Sequence, residues 1–440
     1  MTGAARTRTG YALGCFGTDL FWQSTSFYLL FYYTDILRLP NAAAGLIFGA
    51  AMIWDGLIDP LVGMLANRIR SRLGRYRTLV LVGAAPLSLS FILVFAQPLL
   101  GLSGAIWFAL LAQMLFRTAY AVVSIPYGSL SASLTTSIRE RSTLATFKVL
   151  GGAAAALTVA LASQPFAALW QDPALGWFAL ALLWGALAFA ALLFMVMATH
   201  EIAADDQAPP PIATLMRAIL GNRPLLLLLA AITAMSIGTV ISGKMIVYYF
   251  TYYVGRPELA SYGLAVQVAA VILLTPAWGW VGRRFSKRLA WLWGSGLSCA
   301  GQAAFIAYTG GDPAIVLVLL ALTWLGGAAI PVTLWSLIPD TVEVAEWRTG
   351  IRAEGMTFGI VTLVQKVATG LAIALCGVLL DLIGYVASAR QSPETLTGLH
   401  LMLTVPTLLG GAISMAFMWF YVIDEAFHHR LLRALAYRRR

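Results

Sequence analysis

The stretch 43–72 reads AAGLIFGAAMIWDGLIDPLVGMLANRIRSR. From 43 to 66 it is apolar apart from Asp55 and Asp59. That is long enough for a helix to cross a bilayer, which needs about 20 residues. It then runs straight into Arg68, Arg70 and Arg72. The stretch 260–288, ASYGLAVQVAAVILLTPAWGWVGRRFSKR, has the same plan. Pro276-Ala-Trp-Gly279 stands where Pro60-Leu-Val-Gly63 stood, and Arg283, Arg284 and Arg288 follow. The two stretches lie about half the chain apart. A weaker match relates 141–147 to 352–358. Such a duplicated chain, crossing and turning in the same way in each half, reads as a polytopic membrane protein.

Composition agrees. Hydrophobic residues make up 60% of the 440 and charged residues 11%, where a soluble domain carries about 25% charged. Apolar runs predict crossings at roughly 11–37, 43–66, 78–97, 104–128, 143–163, 174–199, 225–253, 260–281, 289–309, 313–337, 356–383 and 398–423. The first run is too long for a signal-peptide core and carries Asp19, so it reads as a retained helix. The net charge of +10 is a topology signal and excludes a nucleic-acid role. With the N-terminus cytoplasmic, the arginine-rich segments all fall inside, and the outer loops hold only Arg38, Arg256 and Arg390. Both termini are therefore expected in the cytoplasm of a cell inner (plasma) membrane protein. Cys15, Cys299 and Cys376 lie in apolar runs without metal-ligand spacing and read as buried hydrophobes.

Two parallel six-helix repeats are the plan of a major facilitator transporter, with its substrate site near the midplane. The expected fold is an all-α membrane protein of 12 transmembrane helices in two pseudo-symmetric six-helix bundles. Residues 1–199 form the first bundle and 224–423 the second. The acidic, proline-bearing 200–223 is a cytoplasmic linker, and 424–440 a basic cytoplasmic tail.

A charge at the centre of a span is costly and usually functional. Asp19, Asp55, Asp59, Arg117, Lys244 and Lys366 sit there, three acids against three bases. Asp55 and Asp59 are four apart on one helix and share a face. A sodium ion or a proton relieves the repulsion of two such carboxylates, since hard cations favour carboxylate oxygens. A structural network neutralised by Arg117 or Lys366 is the alternative. Asp19 lies one turn from Gln23 and near Trp22. A carboxylate beside a ring suits a sugar's hydroxyls and apolar face, and Trp22 equally suits packing or lipid. Tyr120 and Tyr127 carry the same ambiguity. The ladder Tyr248, Tyr249, Tyr252 and Tyr253 reads as an interfacial aromatic belt, with one face able to reach the cavity.

At these residues the sequence resembles a known group. Ile53-Trp54-Asp55-Gly-Leu-Ile-Asp59-Pro60, Gly14-Cys-Phe-Gly17-Thr-Asp19, Tyr32-Tyr33-Thr34-Asp35, Ile125-Pro126-Tyr127, Arg139-Glu140-Arg141 and Pro339-Asp340 through Glu354-Gly355 are similar, in order, to signatures of the glycoside–pentoside–hexuronide:cation symporters of the major facilitator superfamily. The last of these corresponds to the family's long tenth-to-eleventh loop, and Lys366 falls at its eleventh-helix lysine. The resemblance implies coupling to Na+ or H+ at Asp55, Asp59 and Lys366, with Asp55 and Asp59 the sodium ligands. It implies sugar binding at Asp19. Trp22, Gln23, Tyr120, Ser124, Arg117, Lys148 and Thr362 are further candidate substrate residues. An inner gate would use Arg68, Arg75, Arg141, Asp340, Glu343 and Arg352. The sugar end departs from the pattern: the family's acid before Ile-Pro is Ser124 here and its fifth-helix arginine is Val149. In the inner-face loop motif Asn67 replaces the acid.

The expected function is alternating-access symport of a glycoside, pentose or hexuronide with Na+ or H+, by a monomer in the lipid bilayer, with no cofactor beyond the coupling ion. The alternatives are a cation-coupled carrier of an amphipathic or anionic, lysolipid-like solute, and a transport-incompetent sensor. No enzyme is expected, because Asp340, Glu343, Glu346 and Glu354 interleave with Trp347, Arg348 and Arg352 as an ion-pair network.

Overall fold

The computed structural model describes residues 3–69, 71–102, 104–135, 137–201, 221–350, 354–421, 423, 430, 431 and 433, with the side chains of 3, 4, 67, 68, 132, 138, 139 and 142 left aside. Arg352, the Arg68 side chain, and nearly all of the expected linker and tail lie outside the described residues.

The described chain is helical throughout. The first half holds α1 (Gly3–Phe31), α2 (Asn41–Arg68), α3 (Arg75–Phe95), α4 (Ile106–Leu134), α5 (Ile138–Ala167) and α6 (Pro173–Ala198). The second holds α7 (Arg223–Tyr248), α8 (Ala260–Arg284), α9 (Lys287–Ala307), α10 (Pro313–Gly327), α11 (Ala329–Thr349), α12 (Glu354–Leu382) and α13 (Pro393–Trp419). α1 and α7 each continue through one π-helical turn, Tyr32–Ile36 and Tyr249–Tyr253. α10 and α11 run together as one apolar span, Pro313–Thr349, so the described helices make twelve crossings. Ten are long and apolar enough to cross a membrane by composition alone. α1 and α9 carry more polar residues but have the length, since 21 residues of helix span about 30 Å. Leu57, Val82, Leu89 and Leu111 stand exposed, as side chains facing lipid do.

Two boundaries differ from the sequence reading. α1 begins at Gly3, so its basic start is already helical. The expected loop after 337 is helix as far as Thr349. Pro339 sits inside this helix, as prolines do in membrane helices whose neighbours re-satisfy the backbone. The stop comes at Gly350, whose left-handed φ of 74° caps the end.

The chain packs as two compact units. The first comprises Met1–Asp206, Ile246–Val268 and Ile373–Leu396. Within it α1 lies on α5 and α6, α3 on α4 and α6, and α2 on α4. The second comprises Gln207–Met245, Ala269–Ala372 and Thr397–Arg440. Its core gathers Leu225, Leu228, Leu334, Leu337 and Met418 around fully buried Trp291, whose Nε1 donates to Ser414 Oγ at 3.0 Å. Each unit uses the same device to close a helix end. Arg77, at the start of α3, donates through Nε (3.1 Å) and Nη2 to the Val196 carbonyl at the end of α6. Arg288, at the start of α9, donates through Nε (3.0 Å) to the Met418 carbonyl and through Nη2 to that of Trp419, at the end of α13. A guanidinium satisfies the orphan carbonyls of a helix C-terminus and complements its dipole.

Candidate functional site

In the first unit, α1, α2, α4 and α5 bring most of the expected site residues together. Asp55 is completely buried on α2 and Asp59, one turn on, is half-buried. The residue before Asp55 fixes α2 against α4: Trp54 Nε1 donates to Thr118 Oγ1 at 2.9 Å. Arg117 precedes Thr118 and is 1% exposed. Its Cζ lies 5.0 Å from the Trp22 ring, 5.4 Å from Phe48 and 5.7 Å from Phe116. Its strongest acidic neighbour is Asp55, ahead of Tyr120, Tyr33 and Asp59. Cation–π contacts of this kind strengthen when water is excluded. Trp22 also packs on Tyr120, their rings 5.6 Å apart.

Asp19, one helical turn from Trp22 on α1, is half-buried. Cys15 Sγ lies 3.5 Å from its Oδ2, and Lys148 of α5 is its charged neighbour. Lys148 Nζ lies 5.7 Å over the Tyr127 ring. That ring stacks on Tyr11 at 4.9 Å, and its hydroxyl donates to the Tyr11 carbonyl at 2.7 Å. Gly152 makes room for the acid, since a Cβ there would fall on Asp19 Oδ2. At its neighbour Gly151 a Cβ would fall on the Ala12 backbone carbonyl. The chemistry assembled here is a carboxylate, an ammonium and an aromatic wall, with a guanidinium and two further carboxylates on the adjoining helices. Gln23 and Ser124 are half-buried on α1 and α4.

Lys366 and Thr362 belong to α12 in the second unit, where Lys366 is half-buried. Thr362 is exposed and its hydroxyl donates to the Phe358 carbonyl at 3.0 Å, a local helical bond. Lys244, also in the second unit, is buried.

Among the expected inner-gate residues, Arg75 covers the Tyr76 ring at 4.7 Å, and Arg141 Nε donates to the Thr135 carbonyl at 3.1 Å. Asp340 is buried in the second unit and receives Lys287 Nζ at 2.8 Å on both oxygens. Glu343 lies half-buried on the same helix. In the first unit an ion pair and a charged hydrogen bond escaped the sequence reading. Arg8 of α1 grips Glu140 of α5 with two 2.8 Å bonds. That hydrogen bond holds the Glu140 carboxyl below its usual range. Glu201 accepts the Arg77 backbone N–H at 2.6 Å. Nothing in the local spacing of Arg8 and Glu140 announces their meeting across the fold.

The tyrosine ladder differs from the expected belt. Tyr248 and Tyr249 are fully buried. Asp35, at the far end of α1 from Arg8, accepts the hydroxyls of Tyr252 and, at 2.7 Å, of Tyr385. Thr34 pairs with Tyr248 at 2.8 Å. Alongside, Asn41 donates to Asp381 at 2.8 Å, and the Ala42 N–H bonds the same carboxylate at 3.0 Å. The signal was available: α1 and α7 are both odd-numbered crossings, so their ends reach the same side.

Twelve crossings among the described helices, ten of them apolar enough by composition alone, with charges gathered inside one bundle, define a multi-pass membrane transporter of the major facilitator fold. The chain belongs to the MFS/sugar transport protein family, whose model matches residues 10–425. It is 27% identical over 430 residues to an isoprimeverose transporter of Lactiplantibacillus pentosus, covering 95% of this chain and 88% of that one. It is 26% identical over 427 residues to a glucuronide carrier protein homolog of Escherichia coli (strain K12), covering 96% and 93%. Its fold matches that of a solved D-xylose-proton symporter with a TM-score of 0.68 at 14% identity, over 96% of this chain and 97% of that one. Fold and family are those of transporters, not of enzymes.

Proposed function

We propose that this transporter carries a sugar, in the class of glycosides, pentoses and hexuronides, together with a monovalent cation by alternating access. The observation that carries the reading is the joining of Asp19, Trp22, Tyr120, Arg117 and Asp55 on three neighbouring helices. Asp19 grips paired hydroxyls while the Trp22 ring covers an apolar sugar face. Lys148 beside Asp19 suits the carboxylate of a hexuronide as well. Asp55 and Asp59 form the coupling pair. A cation taken up there changes the charge the helices carry, and so shifts the balance between the outward- and inward-open states. Lys366 on α12 is the further charged residue of the coupling machinery.

Contacts made and broken at the two membrane faces accompany the switch. The basic faces lie in the cytoplasm of the inner membrane, and the protein works as a monomer. The relatives named for isoprimeverose and glucuronide support a sugar or sugar-acid cargo. Binding of a panel of pentosides, glycosides and uronides to purified protein tests the reading. The expected result is a saturable signal that Asp19→Ala abolishes. Binding unchanged by Asp19→Ala, or confined to lysolipids, would overturn it.

A further inference from the structure

Arg117 has an unusual setting for a guanidinium. It is almost wholly buried, and its Nε and Nη1 donate no hydrogen bond. Three rings from three helices hold it instead: Trp22 from α1, Phe48 from α2 and Phe116 from α4. The Trp54–Thr118 bond sets the register, joining the residue before Asp55 to the residue after Arg117. Asp55 is the strongest acidic neighbour of the guanidinium and Asp59 a weaker one.

An arginine in a protein does not lose its charge. The guanidinium is buried, and in a low dielectric a fixed positive charge repels a second cation as strongly as it attracts a carboxylate.

We infer that Arg117 is the resident cation of Asp55, a guanidinium standing where a metal ion would otherwise sit beside the α2 carboxylates, so that sodium is not this carrier's coupling ion. The inference rests on Asp55 and Asp59 being the coupling pair and narrows what that pair accepts. The aromatic cage is part of the device. It holds the charge by its rings, with no hydrogen bond from Nε or Nη1 to be broken when the helices move.

The test uses the purified full-length protein without solute. Thermal unfolding is followed in sodium, potassium and choline chloride at equal ionic strength. The wild-type protein shows no sodium-specific rise. Arg117→Met gains one of roughly 2 °C or more at saturating sodium, and adding Asp55→Asn removes it. A sodium-specific rise in the wild type overturns the inference, as does a folded Arg117→Met with no response. Should Arg117→Met alone not fold, Asp55→Asn and the double variant decide. Asp55→Asn strands the guanidinium and lowers the melting temperature, and the double variant recovers most of that loss. A double variant no more stable than Asp55→Asn would overturn the pairing. No step needs a solute, so failure of the sugar reading in a binding panel leaves this result standing, and the reverse holds too.

Discussion

Replacing Gly152 by alanine separates the proposed solute grip from the stability of the fold. The new Cβ would land on Asp19 Oδ2 and 3.4 Å from Cys15 Sγ. The atom in the way is the tip of a side chain, so the carboxylate swings aside and the helices keep their spacing. Alanine also favours the helix by about 0.5–1 kcal/mol over glycine, so the melting temperature holds or rises. The cost falls on the solute. A hydrogen bond to a charged group is worth about 1.5–3 kcal/mol, so a displaced Asp19 weakens solute affinity roughly ten- to hundredfold. Gly151→Ala is the control, because its Cβ meets the backbone carbonyl of Ala12, which cannot swing away. Overpacking of that kind costs about 1–3 kcal/mol and lowers the melting temperature by several degrees. Thermal unfolding and solute titration on both variants form the assay. Equal loss of stability in the two, or wild-type affinity in Gly152→Ala, would refute the reasoning.

Tyr385→Phe removes a 2.7 Å bond to buried Asp35. It lowers stability by about 1–2 kcal/mol, and a double-mutant cycle with Asp35→Asn gives less than the sum of the two losses. The Arg8–Glu140 pair holds the Glu140 carboxyl low, so its stabilisation is present above the ordinary glutamate range and lost as pH falls through the depressed value. The difference in melting temperature between wild type and Glu140→Gln is therefore visible at neutral pH and vanishes in strong acid. Lys287→Met removes both 2.8 Å contacts to Asp340 and destabilises by about 1–3 kcal/mol, and Asp340→Asn on top restores part of it, measured by thermal unfolding.

The positions of the crossings were legible because bilayer thickness imposes a run length that no local preference overrides. Asp55 and Asp59 stood out because a charge inside such a run is too costly to be incidental. Arg117 stood out for the same reason, but its cage did not. Trp22, Phe48 and Phe116 are ordinary apolar residues in sequence, and only packing turns them toward one guanidinium. The continuation of α11 past Pro339 was hidden because proline and a cluster of charges read as a loop in water. The burial of Tyr248 was hidden because an aromatic ladder at a helix end has the same pattern whether it faces lipid headgroups or Thr34. Pairs such as Arg8 with Glu140 depend on which helices become neighbours, and α1 meeting α5 is a property of the fold rather than of either segment.

The most direct test of the account is solute accumulation in proteoliposomes under an imposed inward cation gradient, with the wild-type protein beside Asp55→Asn and Asp59→Asn. The account predicts accumulation of a sugar or uronide above its external concentration in the wild type, and none in either variant. Uptake that stops at equilibrium whatever the gradient, or accumulation unchanged by both substitutions, would contradict it.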